Sequence, residues 1–227
     1  MSKQITNSIL MVRPAAFCYN AETASNNFFQ NNIGLPQNEL QQKVLQEFDS
    51  MVNVLRKHEI EVIVVNDTHE PIKPDAVFPN NWFNTTGKGV INVFPMYALS
   101  RRAEKRIDIL HSLSEKYVVN NVCDWTEFEA KNMFLEGTGS LVIDHENSVL
   151  YACLSSRTNA SVIEEFAKAN SYKAIYFTAV DQQGKSIYHT NVMMCIGDEF
   201  AVICLDAIKN ETEKIAVSQL LEMTGHE

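Results

Sequence analysis

Apolar residues recur along this chain in two rhythms. One is the short Val- and Ile-rich run. Ser8–Val12, Glu61–Asn66, Gly89–Phe94, Ser140–Asp144, Ser148–Cys153, Ala174–Thr178, Thr190–Ile196 and Phe200–Leu205 are all of this kind, most bounded by Gly, Pro, Asn or Asp, and each predicts a strand. The other rhythm places apolar side chains three or four apart. Gln37–His58 does so through Leu40, Val44, Leu45, Phe48, Val52 and Leu55. Ala98–Lys116, Asn159–Asn170 and Lys209–Met223 follow the same spacing, which predicts helices. Gly225 is placed to end the last of them.

The order of these elements is informative. Ser140–Asp144 and Ser148–Cys153 read as a hairpin around Asp144–Asn147, and Thr190–Ile196 and Phe200–Leu205 as another around Gly197–Glu199. A helix follows each pair. The chain is therefore expected to be α/β, built from repeated strand–strand–helix units and not from a simple alternating sheet. No clear boundary divides it, so residues 1–227 are read as one domain. The pattern stops just after a helix, where a further strand is expected, which raises the expectation of an incomplete C-terminus.

Composition narrows the function. The 227 residues carry 19 Lys and Arg against 28 Asp and Glu, a formal charge of −9. An acidic chain with no basic run is a poor partner for nucleic acid. Its densest basic cluster is Arg101, Arg102, Lys105 and Arg106, most simply a solvated helix face. No run approaches the roughly 20 apolar residues of a membrane helix, and the N-terminus lacks a signal-peptide core. A cytoplasmic protein is expected, with homo-oligomerisation left open. Five cysteines (Cys18, Cys123, Cys153, Cys195, Cys204) form no Cys-x-x-Cys pair, and six scattered histidines form no His-x-x-x-His. Neither a metal nor another cofactor is implied.

Four segments concentrate polar groups beside apolar strands. Asp75–Phe83 holds Phe78, Asn80, Asn81 and Trp82, and reads equally as turn chemistry or as an amide-bearing pocket wall. Phe134–Ser140 places Glu136 before Gly137 and Gly139, where backbone can approach a ligand. Leu154–Asn159 offers Arg157, either exposed or a carboxylate-binding fork. Ile187–Met194 places His189 at the start of a strand, with Asn191 two residues on and so on the same face. Each is ordinary alone. A Glu and a His brought together could form an acid/base site.

Taken in order, these segments resemble the guanidino-group modifying enzymes of the amidinotransferase, or pentein, superfamily. The resemblance covers nearly the whole chain from Met11-Val12-Arg13-Pro14. Its most specific parts are Phe78-Pro79-Asn80-Asn81-Trp82, Glu136-Gly137-Thr138-Gly139-Ser140 and His189-Thr190-Asn191. The resemblance implies an α/β propeller of five strand–strand–helix modules with five-fold pseudosymmetry, the last one missing or incomplete here. It implies metal-free covalent catalysis: a cysteine thiolate attacks the central carbon of a guanidino or ureido group, His189 is the acid/base, and Glu136 is its acidic partner. Arg157 would hold the substrate carboxylate, with Phe78, Asn81 and Asn191 lining the site.

Two departures from the family pattern sharpen the expectation. Arginine deiminases carry aspartates where Asn81 and Asn191 stand. A guanidinium has five donors and a permanent charge, and burying it without a carboxylate leaves an unpaired charge. An amide suits a neutral ureido group. Citrulline hydrolysis to ornithine, ammonia and carbon dioxide is therefore expected first. Arginine deiminase or dimethylarginine dimethylaminohydrolase-like activity is the alternative, and a non-catalytic pentein binding module is a third. The second departure is that the family nucleophile, a C-terminal cysteine, has no match. The chain as it stands is expected to be inactive, with an exposed apolar edge beyond its last strands.

Overall fold

The computed structural model describes residues 3–227. In chain order the elements are β1 (Ser8–Arg13), α1 (Gln37–Lys57), β2 (Glu61–Asn66), β3 (Phe83–Thr85), β4 (Val90–Val93), α2 (Leu99–Arg102), α3 (Ile107–Lys116), β5 (Asn121–Asp124), α4 (Gly137–Ser140), β6 (Leu141–Asp144), β7 (Val149–Cys153), α5 (Ala160–Asn170), β8 (Lys173–Phe177), β9 (Met194–Ile196), β10 (Ala201–Ile203) and α6 (Glu211–Met223). The class is mixed α/β, as the two rhythms require. The strands form four separate sheets, ordered β1-β2, β3-β4-β5, β6-β7-β8 and β9-β10. No closed sheet occurs among the described residues. No described helix is long and apolar enough to cross a membrane.

The chain divides into two compact units. The smaller comprises Thr6–Pro79 and Ala98–Val119. In it β1 and β2 pair in parallel from Ser8↔Glu61 to Arg13↔Asn66. Parallel neighbours need a long crossover, and α1 supplies it. Its Phe48 and Val52 are buried against Val62, with Ile9, Met11, Leu55 and Val64 around them.

The larger unit comprises Asn80–Tyr97, Asn120–Glu227 and the described residues 3–5. Two of its sheets share one plan. β3 and β4, like β6 and β7, are antiparallel, and a third strand adds in parallel, β5 on β4 and β8 on β7. β9 and β10 form the third hairpin. Along its edge the backbone of Glu227 donates to Glu199 O (3.1 Å) and accepts from Ala201 N–H (3.0 Å), the bonding of one rung in a parallel ladder. Side-chain caps start two helices: Asn159 accepts from Ser161 N–H for α5, and Asn210 from Thr212 and Glu213 N–H for α6. Gly225, with φ +85°, follows the end of α6.

The core alternates between sheets. Phe94 packs with Leu141, Ile143, Leu150, Ala152 and α5. The opposite face of β7 (Val149, Tyr151, Cys153) packs with Met194, Val217, Leu220 and Leu221. The outward residues of the last hairpin are uncovered: Phe200 is 53% exposed and Val202 61%.

Three expectations need correction. The helix expected over Ala98–Lys116 is broken, because Arg106 adopts an extended backbone from which its guanidinium reaches Asn66 O and Asp67. The basic cluster is not a solvated face throughout: Arg101 is buried and paired with Glu104 at 2.8 Å. The strand expected over Thr190–Ile196 begins only at Met194, because Thr190–Val192 forms a 3-10 turn. There the Thr190 hydroxyl accepts from Cys153 N–H and donates to Ser140 O, local bonds that compete with a strand ladder.

Candidate active site

Three charged or ionisable side chains of the larger unit meet in its interior. Glu136 precedes the single turn α4 and is fully buried. A buried carboxylate is tolerable only with strong partners, and Glu136 has them. Its Oε1 accepts from Tyr97 N–H at 2.9 Å. Its Oε2 is 2.8 Å from His189 Nε2 and 3.4 Å from Arg157 Nη1. His189 is 4% exposed and Arg157 2%. The Arg157 N–H and the Tyr97 amide both favour ionised Glu136. When His189 donates to that carboxylate from Nε2, its Nδ1 is the nitrogen left to act as a base.

Hydroxyl groups brace this arrangement. Ser140 Oγ accepts from Glu136 N–H (2.9 Å) and from Thr158 Oγ1 (2.8 Å), and donates to Arg157 O (3.0 Å). Ser140 and Thr158 are buried. The turn carrying Glu136 is thus tied to the loop carrying Arg157. A second tie runs from Ser155, whose Oγ accepts from Arg157 N–H and donates to Tyr188 O.

The two glycines after Glu136 have steric reasons. Gly137 has φ +47°, and a Cβ there would fall 2.2 Å from Asn80 O. A Cβ on Gly139 would fall 2.4 Å from Asn81 Nδ2 and 2.8 Å from His189 Nδ1 and Cε1. Only a bare α-carbon lets the Asn81 amide and the Nδ1 edge of His189 close over it. Asn81 is 5% exposed.

The expected site residues therefore separate. Glu136, His189, Arg157 and Asn81 come together. Asn191 does not share a strand face with His189: it lies in the 3-10 turn and is exposed. Phe78 belongs to the smaller unit and is 49% exposed. Arg157 was open between an exposed residue and a carboxylate fork; it is buried and forms an ion pair with Glu136. Tyr188, Ser140 and Thr158 were missed as site residues. Neither an aromatic beside a histidine nor a buried hydroxyl leaves a mark in periodicity. In the smaller unit Arg101 pairs with Glu104, approaches Asp75 at 3.8 Å and donates to Phe78 O. Its Arg-x-x-Glu spacing was the available signal.

Cys153 and Cys18 are poor nucleophiles. Burial pushes the Cys153 thiol up to about 11, and it donates to Ile187 O at 3.5 Å. A thiol must ionise to attack. Burial, then the charge of Asp75, raises Cys18 as well. Cys195 and Cys204 are exposed on the last hairpin. Among the described residues no group of three or more His, Cys, Asp or Glu is placed to hold a metal ion.

Residues 13–227 match the family described as N,N dimethylarginine dimethylhydrolase, eukaryotic. No curated protein matches the chain by sequence. Among solved structures, it is similar to the product-bound N-terminal domain of ArgZ, an arginine dihydrolase from the ornithine–ammonia cycle in cyanobacteria. There the TM-score is 0.71 and the identity 15%, over 96% of this chain and 73% of that one. Unliganded AgrE gives 0.72 and 17%, over 96% of this chain and 29% of that one. DDAH from Pseudomonas aeruginosa, a cysteine-to-serine variant complexed with citrulline, gives 0.57 and 16%, over 86% of this chain and 66% of that one. The chain spans 28% of the length of apo ArgZ. These likenesses carry the fold.

Proposed function

The chain belongs to the family described as N,N dimethylarginine dimethylhydrolase, eukaryotic, and from that premise we propose that its site serves C–N hydrolysis at the ureido or guanidino end of a small amino acid, citrulline first. One observation carries this reading. His189 Nε2 and Arg157 Nη1 converge on one buried oxygen of Glu136, and the uncharged amide of Asn81 closes on the same imidazole over Gly139.

Each residue has a task in this proposal. Glu136 fixes the tautomer of His189 and stabilises the imidazolium when it forms. His189 gives a proton to the leaving ammonia and takes one from the incoming water. Asn81 recognises the ureido group, since an amide both donates and accepts. Arg157 holds the substrate carboxylate. A cysteine thiolate, supplied from outside the described cluster, forms a bond to the ureido carbon as ammonia leaves. Water then breaks the carbon–sulfur bond, and the resulting carbamate falls to ornithine and carbon dioxide. The net reaction is citrulline plus water to ornithine, ammonia and carbon dioxide. The chain alone is proposed to bind without turning over.

A second reading has specific support. The family description names dimethylarginine, whose cationic head group would require a carboxylate near Asn81. Calorimetric titration of the chain with citrulline, arginine and dimethylarginine separates the two. Preferential citrulline binding is expected. Preference for either cationic ligand overturns the amide argument. Failure to bind all three overturns the substrate assignment.

A further inference from the structure

Glu136, His189 and Arg157 are buried, whereas Tyr188, the residue before His189, is partly exposed. Its ring touches both groups that meet on Glu136. The ring centroid lies 4.7 Å from that of the His189 imidazole, with the planes tilted at 42°. Arg157 Cζ lies 4.8 Å from the same centroid. An aromatic face attracts a guanidinium without neutralising it. The backbone of Tyr188 is held independently: its carbonyl accepts from Ser155 Oγ at 2.7 Å, and that oxygen accepts from Arg157 N–H at 3.0 Å. Side chain and backbone thus tie Tyr188 to the Arg157 loop by separate routes.

We propose that Tyr188 is a positioning residue: its ring clamps the guanidinium of Arg157 and the imidazole of His189 in the orientation in which both reach Glu136 Oε2. The geometry assigns this task to the aromatic face. A guanidinium on a flexible stem has many rotamers, and an imidazole beside a single carboxylate can still rotate about χ2. A ring against both restricts them together. Because Tyr188 is partly exposed, replacing it leaves the core clusters intact. This inference rests on the proposal that His189 and Arg157 are the working pair of the site.

The test uses the chain with Tyr188→Phe and Tyr188→Leu, citrulline as the probe, and three readouts. The His189 ring-proton resonances report the aromatic face directly through its ring current. Calorimetry reports citrulline affinity. Thermal melting reports folding. Tyr188→Phe is expected to leave all three close to wild type. Tyr188→Leu is expected to move the His189 resonances downfield and weaken citrulline about tenfold, with the melting temperature held. Unmoved His189 resonances in Tyr188→Leu overturn the clamp. So does a loss of affinity that appears only together with a collapse in melting temperature. If wild type does not bind citrulline, the functional reading falls, and the His189 resonances still decide the clamp.

Discussion

The second and third hairpins of the larger unit are the same device in two settings. Each follows a single helical turn, Gly137–Ser140 or Thr190–Val192, and each turn is preceded by one member of the buried Glu136–His189 pair. Each leads into a helix capped by an asparagine, Asn159 or Asn210. Gln4 Nε2 donates to Ile143 O on one hairpin (2.9 Å) and Ile196 O on the other (3.5 Å). Yet all five residues of β7 are buried, whereas none of β10 is. β7 is paired along both edges and covered on both faces. β10 is paired with β9 and meets Glu227 at its start. The alternation of Ala201-Val202-Ile203 does not reveal this difference. What a strand contributes depends on what lies over it, and a one-dimensional pattern records only what the strand itself carries.

The comparison can be broken experimentally. The largest expected contrast is in thiol chemistry. Cys153, at the end of β7, is shielded and, with its pKa near 11, ionises about one time in a thousand at pH 8. Exposed Cys195 and Cys204 should react with a disulfide reagent in the native state, with Cys153 reacting only on unfolding. Native-state labelling of Cys153 at a comparable rate would remove the contrast. Next comes packing. Leu150→Ala in β7 should cost about 2–5 kcal/mol, through lost burial and the cavity left behind. Val202→Ala in β10 should stay within about 0.5 kcal/mol. Urea unfolding of the two variants measures both, and equal costs would mean that the faces are alike. The smallest effects lie where the hairpins agree. Asn159→Ala and Asn210→Ala each remove a side-chain cap and should each cost about 1 kcal/mol. A marked asymmetry between them would tie cap strength to the burial that differs.

How much was legible follows from the same reasoning. The strand runs rich in Val and Ile and the amphipathic face of α1 carried their structure locally. Their boundaries agree with the structure within a residue or two at Ser8–Arg13, Glu61–Asn66 and Gln37–Lys57. Two strands were missed, β3 (Phe83–Thr85) and β5 (Asn121–Asp124). Both are short and mix polar with apolar side chains, so the ladder that makes them strands is supplied by β4. The Thr190–Val192 turn was hidden because a threonine in an apolar run favours a strand, and only its hydroxyl partners from Cys153 and Ser140 reverse the preference. In the candidate site, Glu136 and His189 stood out as motif residues, and the structure brings their side chains together. The Glu136–Arg157 pair spans 21 positions and depends on how two turns face each other through Ser140, which no local window contains. Asn191 was assigned a strand face that the turn removes, so the amide argument now rests on Asn81.

That argument is tested most directly by exchanging the amide for a carboxylate. Calorimetric titration of wild type and Asn81→Asp with citrulline and with arginine gives four affinities. The account predicts that wild type prefers citrulline and that Asn81→Asp reverses the preference by tenfold or more, about 1.4 kcal/mol, because the new carboxylate pairs a buried guanidinium and no longer donates to a ureido oxygen. A wild-type preference for arginine that Asn81→Asp leaves unchanged would contradict it.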